Sequence, residues 1–595
     1  MREITVAAVV PAAPADNLSD LVVRNAAQAP EAVAFRRPVG DEWRGVTCAE
    51  FLAEVLGVAR GLVAAGIAPG MRVGLMSKTR YEWTLVDFAI WFAGAVTVPV
   101  YETSAPEQVA WILADSGAVA CMAETADHVA TIHQVRDTLP QLRDLWCLDD
   151  GALATLTQAG SSVPEAEIER RRATTNGSSI ATLIYTSGTT GRPKGCELTH
   201  ANFIELARNA SASLADVVRV PEASTLLFLP LAHVFARFIQ ILCVESRATM
   251  GHSPDVKNLL DDLGGFRPTF VLAVPRVFEK IYNSAAATAE AGGKAKIFAA
   301  AAKAAIEYSE SLDGRGPGVV LRVRHALFDR LVYGKLRARL GGRVAYAVSG
   351  GAPLGARLGH FFRGVGVTVL EGWGLTETTA PAAVNTPSRI RIGTVGRPLP
   401  GVSVAIADDG ELLIRGVNVM AGYFNNEEAS AQALEGGWFH TGDLGEIDDE
   451  GFVSITGRKK EIIVTAGGKN VSPTLLEDRL RAHPLISQCI VVGDQRPFVA
   501  CLITLDPEML PGWLAAKGLA PMEVAQAAED PTVRSEVQAA VNHANAVVSK
   551  AESIRKFRIL ATDFTETGGH LTPKMSLKRA VIVKEFEQQV EDLYR

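Results

Sequence analysis

Between Thr186 and Lys194 the chain reads TSGTTGRPK, a run that concentrates three kinds of group used to hold a phosphate. Thr186, Ser187, Thr189 and Thr190 offer hydroxyl donors, Gly188 and Gly191 leave backbone N–H groups unobstructed, and Lys194 adds a fixed positive charge. The order Gly-Arg-Pro-Lys-Gly at 191–195 departs from the P-loop, in which Gly-Lys is followed by Ser or Thr. Taken alone, the string is read equally well as a plain surface loop. The apolar run ATLI at 181–184 precedes it, so the loop leaves the end of a buried strand, where open α/β sheets bind ligands.

The rest of the composition narrows the class of chemistry. The chain has 595 residues, with 59 Lys plus Arg against 66 Asp plus Glu, a net charge of −7 and no block of five like charges. A nucleic-acid partner is not expected. The seven cysteines form no Cys-x-x-Cys pair and have no histidine at zinc-ligand spacing, which points to a reducing compartment, the cytoplasm, and to no structural metal. The N-terminal MREITVAAVVPAAPADN imitates a secretion signal only weakly, because Glu3 offsets Arg2 and Pro11 interrupts the apolar stretch. The most apolar run, FAIWFAGAVTV at 88–98, is far shorter than the roughly 18 residues of a membrane span, so no transmembrane segment is expected, while peripheral membrane contact stays open.

These groups need elements to position them. Thr47-Cys-Ala-Glu50 is a capping box, and the apolar period through Phe51, Val55, Leu62 and Val63, stopped by Gly66, predicts a helix over about 47–65. RVGLMS at 72–77, a helical stretch over about 80–94 and AVTVPV at 95–100 then repeat strand, helix, strand, which predicts a mostly parallel α/β sheet. Ala- and Lys/Arg-rich sequence over about 280–340 predicts two exposed amphipathic helices. Near 390–456 the texture becomes β-rich, with Asp409-Gly410 and Glu450-Gly451 as hairpin turns, and the last 135 or so residues alternate short strands and helices as a small second domain. Length alone suggests roughly four domain-sized units, some of them fused.

With the motifs taken together, the sequence resembles the adenylate-forming superfamily, and within it the bacterial long-chain fatty-acyl-CoA synthetases. YTSGTTGRPKG is followed, in the superfamily's order, by SGGAPL at 349–354, EGWGLTET at 371–378, HTGDLG at 440–445, GRKKE at 457–461 and LTPKMSLK at 571–578. The resemblance implies a large N-terminal domain, residues 1–456, of two α/β sheets plus a distorted β-barrel, a hinge at 457–461, and a smaller mobile α+β C-terminal domain, residues 462–595. It implies that a carboxylate attacks the α-phosphate of ATP to give acyl-AMP and pyrophosphate, after which a thiol displaces AMP.

Carried onto this chain, the resemblance implies that Gly351, Ala352 and Pro353 line one side of the adenine and that Trp373, beside Gly374, stacks on the other where the family more often has Tyr. Thr376 and Glu377 are the implied Mg2+ ligands, Asp443 the ribose-hydroxyl acceptor, and Arg458 a second contact to the sugar. Lys578 is the implied lysine shared by the substrate carboxylate and the α-phosphate, preceded here by Leu577 rather than the usual Gly. Lys460 is the implied pivot, and Gly467 and Gly468 the turn that leaves room for the pantetheine arm of coenzyme A. FLPLAHVFAR at 228–237 and the helical insert after 283 point to a long acyl chain, with His233 beside the acyl pocket and Arg237 standing where some relatives have a gating Trp. The expected activity is ligation of long-chain fatty acids to CoA with ATP and Mg2+. The alternatives are an acyl-AMP ligase that loads a carrier protein and a catalytically silent lipid or nucleotide binder. A homodimer is neither implied nor excluded.

Overall fold

The computed structural model describes residues 2–40, 42–186, 192–572 and 576–595. Ser187, Gly188, Thr189, Thr190 and Gly191 of the phosphate-loop reading lie outside the described residues. The predicted first helix spans Cys48–Ala64 and starts as its sequence dictates: the Glu50 amide donates to Thr47 Oγ1 at 3.1 Å and the Thr47 amide to Glu50 Oε2 at 2.8 Å. Gly66, at φ +81°, then takes the left-handed turn that stops it.

The central layer is a seven-stranded sheet in the order Gly422–Tyr423, Lys194–Thr199, Ile180–Thr186, Val96–Val100, Arg72–Met76, Ala120–Ala123, Asp144–Cys147. From Ile180–Thr186 outward to Asp144–Cys147 the pairings are parallel, while the two strands on the other side are antiparallel. Val96–Val100 and Ala120–Ala123 are buried on both faces, which is why they read as unbroken apolar runs. Helix Tyr81–Phe92 is buried along nearly its whole circumference, so the most apolar run of the chain is core. Among the described residues no helix is long and apolar enough to cross a membrane.

A second sheet has the order Phe270–Ala273, Tyr346–Ser349, Thr368–Leu375, Ala380–Val384, Arg397–Pro398, and a four-stranded sheet joins Ser224–Leu227 and Thr249–His252 to the hairpin Val33–Val39 and Glu42–Thr47. The β-rich region is an antiparallel half-barrel, with the hairpin Val402–Ile406 and Glu411–Gly416 turning at Gly410, φ +86°. Its outer strand is Arg2–Val6, paired antiparallel with Val402–Ile406. The N-terminal segment that imitates a signal is thus an edge strand. The smaller C-terminal domain is built on a sheet of Ile486–Val492, Val499–Leu505 and Ile554–Ile559, preceded by a short ribbon of Ile463–Val464 and Asn470–Val471.

The Ala-rich region differs from expectation in part: helix Val319–Phe328 is exposed as expected, whereas helix Ala295–Leu312 packs inward. The region forms helices Pro275–Ala291, Ala295–Leu312 and Val319–Phe328, a π-turn at Asp329–Tyr333 and helix Gly334–Arg339. Ala301, Ala304 and Ala305 are buried, and a Cβ on Gly364 would stand 2.1 Å from the Ala305 carbonyl oxygen. The alanines there allow close helix approach and are not a solvated face.

Candidate functional site

The feet of the phosphate-loop segment are fixed by the sheet. Thr186 ends one strand, Lys194 begins the next, and the two are register partners. Below them Trp111 Nε1 donates to the Pro193 carbonyl at 2.8 Å, and the Arg192 guanidinium lies 4.7 Å over the Trp111 ring. Lys194 Nζ sits 4.8 Å over the ring of Tyr423, whose hydroxyl donates to Glu377 Oε1 at 2.9 Å. The Met420 amide holds the Glu377 carbonyl at 2.8 Å. Lys194 and Glu377, 183 residues apart in sequence (377 − 194), are therefore brought together through Tyr423, which sequence reasoning missed because an isolated tyrosine in AGYFNN carries no signal. Thr376 lies in the same short turn as Glu377.

Two backbone constraints shape this edge. A Cβ on Gly374 would stand 1.6 Å from the Ala380 carbonyl oxygen, so only glycine fits there. Thr379 and Ala380 both take positive φ, at 54° and 78°, a conformation that costs a non-glycine residue energy and clusters at functional sites.

Trp373 is 8 % exposed, and its Nε1 donates to Asp443 Oδ2 at 2.8 Å. Arg458 Nε meets Asp443 Oδ1 at 2.8 Å, as the register pairing of the two residues requires. Gly351, Ala352 and Pro353 are exposed on the loop beyond strand Tyr346–Ser349, and the Leu354 amide donates to Glu371 Oε1 at 3.0 Å to hold that loop. Gly350 packs against Phe235, where a Cβ would stand 3.1 Å from the ring. That contact brings the start of helix Val234–Ser246 to the loop, and His233 caps this helix, Nδ1 accepting from the Phe235 amide at 3.2 Å. Arg237, one turn on, is fully buried and paired with Asp87. Asp87, a carboxylate set mid-way in the apolar helix YEWTLVDFAIWF, whose other acid Glu82 lies in the first turn, was the available signal for a buried partner.

Lys578 precedes helix Arg579–Glu585, its amide donating to the His570 carbonyl at 2.8 Å. The strap leading to it touches the N-terminal domain, Thr103 Oγ1 donating to Glu566 Oε1 at 2.5 Å just beyond strand Val96–Val100, the neighbour of Ile180–Thr186. Lys460 lies in the turn Lys459–Glu461, where Lys459 Nζ is 2.5 Å from Asp409 and 3.2 Å from Glu411. Gly467 and Gly468 occupy the turn between the two short ribbon strands, and a Cβ on Gly468, φ +76°, would meet nothing within 4 Å. Glu566 thus meets the N-terminal domain just past strand Val96–Val100, while the contacts around the glycine turn, such as Ala466 to Arg496 and Lys469 to Glu552, stay within the C-terminal domain.

Residues 22–424 match the model of AMP-binding enzymes, well over half of the chain. The chain belongs to the AMP-binding enzyme family. Residues 460–595 match the C-terminal domain of the same enzymes. The chain is 51% identical over 598 aligned residues, 100% of each sequence, to the long-chain-fatty-acid–CoA ligase FadD15 of Mycobacterium tuberculosis. It is 29% identical to the human long-chain-fatty-acid–CoA ligase ACSBG1, with 95% of this chain and 83% of that one aligned. In fold it is similar to the anthranilate CoA ligase AuaEII in complex with anthranoyl-AMP, at TM-score 0.71 and 21% identity, covering 97% and 98% of the two chains. It is also similar to the A domain of a carboxylic acid reductase from Segniliparus rugosus, at TM-score 0.75 and 21% identity, covering 97% and 94%.

In this AMP-binding enzyme the two domains meet across carboxylates as well as ion pairs. Arg276 reaches Asp506 at 2.9 Å and Lys280 reaches Glu508 at 3.0 Å. Glu371, of the EGWGLTET motif, is raised to about 7 by burial, with the charge of Asp478 from the C-terminal domain adding and the Leu354 amide opposing. Asp478 is itself pushed up to about 6, chiefly by burial. Folded Glu371 thus keeps its proton up to about pH 7, whereas an unperturbed glutamate loses it near 4.5. The native state binds more protons through that window, so this group lowers stability as pH rises from 4.5 to 7. The Glu371→Gln variant should melt with wild type below the window and at a higher temperature above it, as differential scanning fluorimetry across pH will read. A melting difference that does not change with pH would refute the assignment.

Proposed function

We propose that this protein ligates long-chain fatty acids to coenzyme A with ATP, through an acyl-AMP intermediate. The observation that carries this reading is the end-to-end similarity to ligases of that name, which extends through the C-terminal domain. The geometry supports a division of labour. A fatty-acid carboxylate oxygen attacks the α-phosphorus of ATP and pyrophosphate leaves; the CoA sulfur then attacks the acyl carbon and AMP leaves. Lys194, with the loop hydroxyls of Thr186, Ser187, Thr189 and Thr190, takes the phosphates. Asp443, oriented by Trp373 and Arg458, takes the ribose hydroxyls. Gly351, Ala352 and Pro353 form the exposed edge for the adenine, with Trp373 on its other side.

Glu377 and Thr376 fit a Mg2+ ion, because their donors are hard oxygens and one carboxylate suffices when phosphates supply the remaining ligands. Such an ion would offset negative charge on the phosphates. Tyr423 holds Glu377 in place, and Lys578 enters with the C-terminal strap. We assign the adenylating domain to 1–456, the hinge to 457–461 with Lys460 as pivot, and the mobile domain to 462–595, whose Gly467–Gly468 turn admits CoA after the domain swings. His233 anchors the acyl side by capping its helix.

No protein nucleophile is needed, since CoA brings a thiol. Cys196, beside Tyr423 in register, is buried, and burial with the nearby Glu377 holds its thiol well above the usual range. The free cysteines fit a reducing cytoplasm. Mass-spectrometric product detection with the purified protein, ATP, Mg2+ and fatty acids of graded length, with and without CoA, tests the reading. Acyl-CoA that peaks at long chains is expected. Acyl-AMP that persists with CoA present would replace this reading with carrier loading, and absence of any product would overturn it.

A further inference from the structure

The excursion at 314–342 leaves an apolar face with nothing against it. Helix Val319–Phe328 has an inner side, where His325 Nε2 lies 2.6 Å from the Gly364 carbonyl and the ring stacks on Tyr308 at 3.8 Å. Its outer side is Val319, Val320, Val323 and Leu327, exposed by 75, 82, 66 and 57 %, and the stripe runs on to Leu331 at 50 %. The spacing 319, 323, 327, 331 puts four of these on one line along the helix.

The charge around the stripe has one sign. Residues 314–342 contain seven Lys and Arg and a single acid, Asp329, in a chain whose net charge is −7. Arg324 is engaged by Glu307 and Arg337 by Asp329. Arg315, Arg322, Arg330, Lys335 and Arg339 are exposed and make no ion pair among the described residues. A second copy packed on the same face would set these cations against their own kind. A bilayer rich in anionic lipid presents an apolar layer below a negative plane, which matches valines and leucines flanked by arginines.

We infer that the 319–331 face docks this protein on an anionic lipid bilayer. The inference goes beyond the ligase reading and is tested without substrates. The full-length protein should sediment with phosphatidylcholine vesicles containing about 30 mol % phosphatidylglycerol, more weakly as salt rises, and far less with pure phosphatidylcholine. The Val323→Asp/Leu327→Asp variant should lose that binding while melting at the wild-type temperature, because both side chains already face water. Arg322→Gln/Arg330→Gln should weaken it by roughly 25-fold, at about fivefold per charge. No binding to the anionic vesicles, or binding that both variants leave unchanged, would overturn the proposal. So would light scattering that shows a dimer split by Val323→Asp/Leu327→Asp, since the face would then be covered by a second copy.

Discussion

The Asp87→Ala variant should lose about 3–5 kcal/mol of unfolding free energy, because it leaves a buried guanidinium without its counter-charge. Arg237 and Asp87 are both 0 % exposed at their side chains. Arg237 Nε meets Asp87 Oδ2 at 3.0 Å, its Nη2 donates to Oδ1, and its Nη1 donates to Thr182 Oγ1 at 2.5 Å. Thr97 and Gln240 donate to the same carboxylate at 2.8 and 3.2 Å. The rings of Trp91, Trp83 and Phe203 stand 5.1, 5.4 and 5.9 Å from the guanidinium carbon. Each of the three guanidinium nitrogens thus donates to an oxygen, and removal of the carboxylate leaves two of them without an acceptor.

The control is the double variant Asp87→Leu/Arg237→Met. It removes both charges and keeps the volume, and buried ion pairs replaced in this way often leave stability unchanged or improved. Urea unfolding followed by tryptophan fluorescence should therefore show a large loss for the single variant and substantial recovery in the double one. Equal losses in both would mean that packing volume, not charge pairing, accounts for the effect. The cluster ties helix Val234–Ser246 to helix Tyr81–Phe92 and to strand Ile180–Thr186, the strand that carries the phosphate loop. Arg237 itself is held in the core by this pairing.

The second large effect is kinetic. Lys578→Ala should slow acyl-AMP formation by roughly 10²-fold or more, comparable to the loss of one transition-state donor. Attack of one anion on another gathers negative charge, and a lysine delivered by the C-terminal strap is the cation suited to meet it. Pyrophosphate release without CoA reports that step alone. If the proposed domain swing carries the strap away, conversion of supplied acyl-AMP to acyl-CoA should be nearly unchanged. Lys574→Ala is the comparison that decides the assignment, because both lysines lie in LTPKMSLK. A large loss in Lys574→Ala with full activity in Lys578→Ala would transfer the role.

Local features were legible in the sequence wherever one stretch of chain decides them. The capping box at Thr47 and the stop at Gly66 delimit a helix without outside help, since their hydrogen bonds close within four residues. The Asp409-Gly410 hairpin is of the same kind. The ordered motifs from the phosphate loop to LTPKMSLK named the family, and two family models spanning 22–424 and 460–595 agree. The Ala-rich insert misled because composition cannot separate a solvated face from close helix packing; that difference appears only when Gly364 is set against Ala305. The edge strand Arg2–Val6 was hidden for a related reason, as its partner Val402–Ile406 lies some 400 residues away.

Tertiary structure alone decided how the site is assembled. Lys194, Tyr423 and Glu377 meet because three separate segments converge at one sheet edge, and Trp373 holds Asp443 across a register set by two different sheets. The sequence determined which groups are present and which short elements bear them, since hydroxyls, charges and caps are properties of neighbouring residues. Which of those groups touch depends on packing between elements distant along the chain, and no local pattern encodes it.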